Sequence, residues 1–210
     1  DNWNALVGGL RLTVPTRTGT WFAGLSQGFR APNLSDLTRL DSARTDEIET
    51  PSPNLQPERF LTSELGFRKA GNGASIEVTL FHTWIDDLIT RSPTGDKIED
   101  ETEVTKRNSG DGWVAGAEMI GEITITDSWS LYGHLAWLQG EAYVYPTSNL
   151  SDRRSEYLDR LMPLMGEIGL AYKQGGGAWW GDLSCRFAAD ADKLSTRDIA
   201  DSSRIPDGGT

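Results

Sequence analysis

Cysteine is almost missing from this chain. Cys185 stands alone among 210 residues, which excludes a disulfide framework and any cysteine-rich zinc site. Histidine is nearly as scarce: His82 and His134 fall on different expected strands with opposite facing, a poor start for a metal site. No apolar run reaches the roughly 18 residues of a transmembrane helix, and no N-terminal signal peptide is visible. Basic residues are outnumbered, 20 Lys and Arg against 31 Asp and Glu for a net charge of −11, so the chain lacks the basic face that nucleic acid requires. What is present, 37% hydrophobic and 24% charged residues, excludes disorder and fits one large domain. Such hydropathy leaves an all-β membrane protein open.

Period-2 alternation dominates. From Ala74 to Leu88 the even positions carry Ile76, Val78, Leu80 and Trp84, and the odd ones Ser75, Glu77, Thr79 and Thr83. Trp129–Gln139 and Trp179–Phe187 repeat the pattern, and weaker copies lie at Leu6–Val14, Trp21–Arg30, Phe60–Arg68, Trp113–Ile125 and Met165–Lys173. Helical spacing is brief, at Leu34–Leu40 and Tyr157–Leu161, inside connections. The pattern predicts an all-β, antiparallel up-and-down meander of about eight long strands. Short turns are expected near 15–19, 70–73, 126–128 and 174–177, and long polar loops near 31–58, 91–110, 144–161 and 191–210. Tight turns on one rim and long loops on the other are the layout of an outer-membrane barrel.

A soluble β-sandwich also alternates, but its strands are shorter and its loop lengths rarely alternate strictly. Aromatics gather near strand ends: Trp21, Phe67, Trp129, Tyr172 and Trp179 by the short turns, and Phe29, Trp84, Trp113, Trp137 and Tyr143 toward the long loops. Rings placed at headgroup depth explain that distribution. On pattern alone, two readings stay beside the membrane barrel: a soluble sandwich binding glycans through its tryptophans, and a complete eight-stranded barrel with a structural or adhesive role.

Two motifs narrow the choice. Gly28-Phe29-Arg30-Ala31-Pro32-Asn33-Leu34-Ser35-Asp36-Leu37 closes a strand and opens a long loop, which ends in Pro53-Asn54-Leu55-Gln56-Pro57-Glu58 and is followed by Ser63-Glu64-Leu65-Gly66-Phe67-Arg68. Pro32 cannot donate to a ladder and biases Ala31 toward extended geometry, so the strand stops there. This succession resembles the TonB-dependent outer-membrane receptors, in the C-terminal half of their barrel. Asn108-Ser109-Gly110 ahead of Val114-Ala115-Gly116-Ala117-Glu118, and the Tyr157–Leu164 run, are similar to later parts of the same family. The resemblance covers essentially the whole chain and implies a slice of a 22-stranded barrel. At about 26 residues per strand and connection, such a barrel needs about 580 residues plus a plug in its lumen. The expectation is therefore an interior slice, with further strands, the plug and the energy-coupling box outside it.

The alternation turns Arg11, Arg30, Glu64, Arg68, Glu77, Glu118, Glu122, Glu167, Lys173, Asp182 and Arg186 away from lipid, where a charge is costly. An enzyme reading finds little support. Glu118 and Glu122 share a face but stand about 13 Å apart along a strand, beyond the span of a glycosidase acid pair. There is no GxSxG, HExxH or phosphate loop, and the acidic run Asp96–Glu103 lacks calcium-loop spacing.

The resemblance implies active uptake of a scarce large solute across the outer membrane of a Gram-negative bacterium: a ferric siderophore, haem, cobalamin or an oligosaccharide. It implies no cofactor and no resident metal. The partners it implies are the lipid bilayer, the plug and remaining strands of the same chain, the inner-membrane TonB energy complex, and a small-molecule chelate or glycan. Ligand contacts are expected in the loops around Arg39–Glu49 and Tyr143–Arg154, through Arg39, Arg44, Tyr143, Tyr145, Arg153 and Arg154. Arginines there suit an anionic chelate through charge-assisted hydrogen bonds.

Overall fold

The computed structural model describes residues 3, 5–44 and 46–201, with side chains for all of these except Ala43 and Arg44. The elements in chain order are β1 (Gly9–Pro15), β2 (Thr20–Arg30), α1 (Leu34–Thr38), β3 (Asp41–Arg44), β4 (Glu47–Thr50), β5 (Glu58–Gly71), β6 (Ala74–Ile98), β7 (Glu101–Thr126), β8 (Trp129–Val144), β9 (Arg154–Tyr157), β10 (Met165–Lys173), β11 (Trp180–Ala188) and α2 (Thr196–Ala200). One sheet holds every strand, along the path β1-β2-β5-β6-β7-β8-β10-β11. Each step along that path is antiparallel, the meander expected from the alternation. A single sheet sets aside the two-layer sandwich. Because β1 and β11 end the path without pairing to each other, the described sheet is open and is not a closed eight-stranded barrel.

The register sorts the side chains into two faces. Leu10, Leu25, Ser63, His82, Ala115 and Gln139 trace one row across the sheet, and Leu12, Ala23, Leu65, Leu80, Ala117 and Trp137 the next. This face is mostly apolar and exposed, with Leu10 75% and Leu183 77% accessible. The opposite face carries Arg11, Arg30, Glu64, Arg68, Glu77, Glu118, Glu122, Glu167, Lys173, Asp182 and Arg186, all on one side by register. Three of its carboxylates have partners across strands: Arg11–Glu64 at 3.2 Å, Glu167–Arg186 at 2.5 Å, and Asp182, which accepts from the Tyr132 hydroxyl at 2.8 Å. On this face aromatic rings lie over glycines of the next strand: Phe22 covers Gly66 and Tyr132 covers Gly169, leaving no space for a Cβ at either glycine.

Asn72 (φ 52°) and Gly73 (φ 72°) join β5 to β6 in a two-residue turn with both residues left-handed, the Asn-Gly geometry that matches strand twist. At the other rim the structure departs from the expected loop at 91–110. There β6 and β7 continue as a tall hairpin that closes at Glu99 (φ 50°) and Asp100 (φ 74°). Bulges between Ile85 and Leu88 and between Pro93 and Lys97 interrupt the ladder without ending it. The stretch looks like loop because its alternation is polar on both faces. Those polar groups are satisfied in the hairpin instead: Ser109 bonds Thr90 at 2.9 Å and Ser92 at 2.7 Å, and Thr94 donates to Glu103 at 2.8 Å.

Candidate functional site: the loop-rim mouth

The 31–57 connection is a strap. It leaves β2, turns through α1 and crosses to the far side of β7. There β4 pairs parallel with that strand, with Glu47 opposite Thr102 and Thr50 opposite Thr105. Its start is set locally. Asn33 caps α1 by accepting from the Asp36 amide at 2.8 Å, and Asp36 accepts from the Asn33 amide at 3.1 Å, a reciprocal capping box.

Asp36 is buried, and its second role is ionic. Arg30 Nη1 donates to it at 2.9 Å and Lys106 Nζ at 2.8 Å. Burial disfavours the ionised Asp36 carboxyl, but the hydrogen bonds from Lys106, the Asn33 amide and Arg30 outweigh it and hold the group below the usual carboxylate range. Arg30 also forks onto Glu58, through Nε at 2.5 Å and Nη2 at 2.7 Å, and Glu58 in turn accepts the Ile89 amide at 2.9 Å beside a bulge. Arg30, Asn33, Asp36 and Glu58, drawn from both ends of the motif pair, thus form one network that pins the strap to the rim.

A second anchor is fully across the sheet. Glu47 and Glu49 of β4 are buried, and Arg91 of β6 meets them at 3.5 and 3.2 Å. The Ser148 hydroxyl donates to Glu47. Sequence reading grouped Arg39–Glu49 as candidate loop but missed the pairing with Arg91, because a parallel contact from β4 to β7 leaves no local signal. The role of Lys106 was missed for the same reason.

Between strap, hairpin and the 145–159 connection lies a cavity of about 310 Å³ on the charged face. Its wall includes Arg39, Arg91, Lys106, Tyr145, Tyr157 and Arg197. Arg39 is the loosest of these cations, at 3.9 Å from Asp41 and 4.0 Å from Glu49. The far wall is fixed by α2: Thr196 donates to Glu156 through its amide at 3.0 Å and its hydroxyl at 2.5 Å, and Ser195 donates to Asp159 at 2.8 Å. Burial works against ionised Glu156, but the two Thr196 bonds and Arg154 together lower its pKa.

Of the loop residues expected to meet ligand, Arg39 and Tyr145 line this cavity. Arg154 lies on β9, bonded to Asp152 at 2.8 Å and Glu156 at 2.9 Å. Tyr143 points to the apolar face with Trp84 and Trp113, and Arg153 sits over its ring at 5.9 Å. Neither of those two lines the cavity. The Arg44 side chain and residues 202–210 of the expected last loop lie outside the described residues. Among the described residues no cluster of His, Cys, Asp and Glu is arranged to hold a metal ion.

A family model described as the TonB dependent receptor-like β-barrel matches residues 1–207. The vitamin B12 transporter BtuB of Vibrio vulnificus (strain YJ016) is 30% identical over 95 residues, which cover 45% of this chain and 14% of that protein. Among solved structures, the copper transporter OprC aligns with a TM-score of 0.67 at 20% identity, over 90% of this chain and 28% of its own. The Serratia marcescens hemophore receptor HasR, in complex with its hemophore HasA and heme, aligns at the same TM-score with 16% identity, over 86% and 31% of the two chains. The structural likenesses show the fold, and the chain spans under a third of each of these relatives. The relatives are transporters and receptors, not enzymes. A family match over nearly the full length, on a sheet with this topology, has one meaning: the chain belongs to the TonB-dependent receptor β-barrel family.

Proposed function

We propose that the chain forms part of the barrel wall and outer mouth of a transporter in the outer membrane of a Gram-negative bacterium, one that takes up a scarce solute with energy supplied through TonB. The observation that carries this reading is the cavity at the loop rim, on the charged face, walled by Arg39, Arg91, Lys106, Tyr145, Tyr157 and Arg197. In the proposed barrel the apolar face meets lipid and the charged face lines a lumen occupied by a plug from the same polypeptide. The solute belongs to the set that the relatives' names span (haem, copper, cobalamin), or is a ferric chelate or an oligosaccharide. Guanidinium and phenol groups at the mouth favour an anionic chelate, which Arg39 meets by turning from its long contacts with Asp41 and Glu49.

The test is uptake by cells carrying or lacking the full open reading frame, with cobalamin, ferric chelates, haem, copper and oligosaccharides offered one at a time. One solute should accumulate in a manner that depends on both the gene and TonB. Its binding to cells should weaken about tenfold with Arg39→Ala while barrel abundance stays level. Accumulation indifferent to TonB for every solute would overturn the transport reading.

A further inference from the structure

The mouth has little positive charge to spare. Among the described residues, each of the four cations in its wall already faces a carboxylate: Arg39 faces Asp41 and Glu49, Arg91 faces Glu47 and Glu49, Lys106 faces Asp36, and Arg197 faces Asp159. An anion that enters must take a cation from one of these carboxylates. Asp41 and Asp159 are open to water, which replaces a lost cation at little cost.

The three buried carboxylates differ in how firmly they are held. Asp36 accepts three hydrogen bonds, from Arg30, Lys106 and the Asn33 amide. Glu47 accepts from the Ser148 hydroxyl beside its pair with Arg91. Glu49 is fully buried and has less: Arg91 Nη2 donates to its Oε2 at 3.2 Å, and Arg39 Nε stands 4.0 Å from the same oxygen. Its Oε1 is buried and accepts no hydrogen bond from the described residues. A carboxylate with one idle oxygen is buried at a cost, since no donor replaces its lost hydration. Both of its cations line the cavity, although Glu49 itself does not.

We propose that Glu49 is an internal stand-in for the anionic group of the solute: an oxyanion entering the mouth takes Arg39 and Arg91 from it, Glu49 turns to water, and β4 leaves β7. Arg91 is shared with Glu47, so the exchange loosens both carboxylates of β4. That strand is four residues long and meets β7 only between Glu47–Thr50 and 102–105, so little else holds it. The coupling is reciprocal: the factor by which Glu49 weakens the anion is the factor by which the anion weakens the docking of β4. The inference rests on the reading of the mouth as an anion site given above.

The test uses the full open reading frame purified in detergent, with inorganic pyrophosphate as the probe and sodium chloride at matched ionic strength as its control. Affinity is read by calorimetry, and hydrogen exchange is followed at 47–50 and 102–105. In the wild type, pyrophosphate should bind and speed exchange at both stretches, and sodium chloride should not. Glu49→Gln, which removes the competing charge and keeps the size, should bind pyrophosphate about tenfold more tightly, and its exchange at 47–50 should no longer respond. Asp96→Asn removes the same charge from an exposed site on the same hairpin and should bind as the wild type does. A residue that only braces the wall would give the opposite result, weaker binding in Glu49→Gln. That result, equal tightening in Asp96→Asn, no binding of pyrophosphate, or binding to the wild type with exchange unmoved would each overturn the inference. The wild-type arm stands even if the variant fails to fold. TonB-dependent uptake without these effects sinks only the role of Glu49, whereas the effects without such uptake sink the transport reading alone.

Discussion

The Asn108 side chain grips the backbone of Gln56 by both of its polar ends, accepting the amide N–H at 2.8 Å and donating to the carbonyl at 2.8 Å, across 52 residues of sequence. Its amide nitrogen also reaches the Asp87 carbonyl at 2.8 Å, beside the bulge in β6. One side chain thus ties the end of the strap to both strands of the tall hairpin. Asn108→Ala removes both bonds to Gln56, whose exposed backbone groups water can then reach, and should cost about 0.5–1.5 kcal/mol locally. Hydrogen exchange should accelerate at 52–57 while the strands below the rim keep their protection. Asn108→Asp keeps the acceptor and loses the donor, so it should fall between the two. Unchanged exchange at 52–57 in the alanine variant would show that the clamp carries no weight.

Acid should loosen the strap through Asp36. Its carboxyl is held below the ordinary value, so its contribution is fully present above the unfolded pKa of about 3.9 and is lost as pH falls through the lower folded value. Protease cleavage within 39–56 should stay flat from neutral pH down to about 4 and rise only below it. Asp36→Asn should raise cleavage at neutral pH and flatten that acid rise. A transition near pH 6 would point to a histidine in place of this carboxyl.

The half-buried Arg91 offers a stronger test of the second anchor. Arg91→Ala leaves Glu47 and Glu49 buried beside a missing cation, and breaking such a pair from one side costs about 3–5 kcal/mol. Replacing the charges together, as Arg91→Met with Glu47→Gln and Glu49→Gln, should recover most of that loss. Exchange rates in β4 and in the 102–105 stretch of β7 report both outcomes. Equal damage from the single and the triple change would mean that shape, not charge, holds β4 in place.

What could be read from the sequence follows from the range of each interaction. The long strands were legible because Ile76, Val78 and Leu80 alternate with Ser75, Glu77 and Thr79 over a few neighbouring positions. The charged face followed from the same period. The stop at Pro32 was legible too, since a missing N–H acts on its own strand. The continuation of the hairpin through Thr94 and Val104 was hidden, because this stretch is polar on both faces and no apolar stripe marks it. Arg91 and Lys106 find their carboxylates on an element 42 and 70 residues away, and nothing near either residue records that meeting. Tyr143 read as a loop residue, but its facing depends on the register of β8 against β7, in which Trp113 opposes Glu141.

Glycine under an aromatic ring gives the last prediction. Phe22 is 5% exposed and lies across Gly66 of the neighbouring strand, on the charged face where little else is apolar. A methyl group at position 66 would occupy the volume of the ring, so Gly66→Ala must push Phe22 off its rotamer or part the strands, at a cost of about 1–3 kcal/mol. Arg11, whose guanidinium sits 5.3 Å from the centre of the Phe22 ring and 3.2 Å from Glu64, would be displaced with it. The effect should appear as a lower temperature for loss of the compact, heat-modifiable form on gels of the full open reading frame. Phe22→Leu alone should also lower that temperature, since it uncovers the glycine backbone. The two changes together should cost less than their sum, because leucine vacates the space that alanine needs. Strict additivity would mean that ring and glycine do not press on one another, and the close approach between β2 and β5 would lose its energetic meaning.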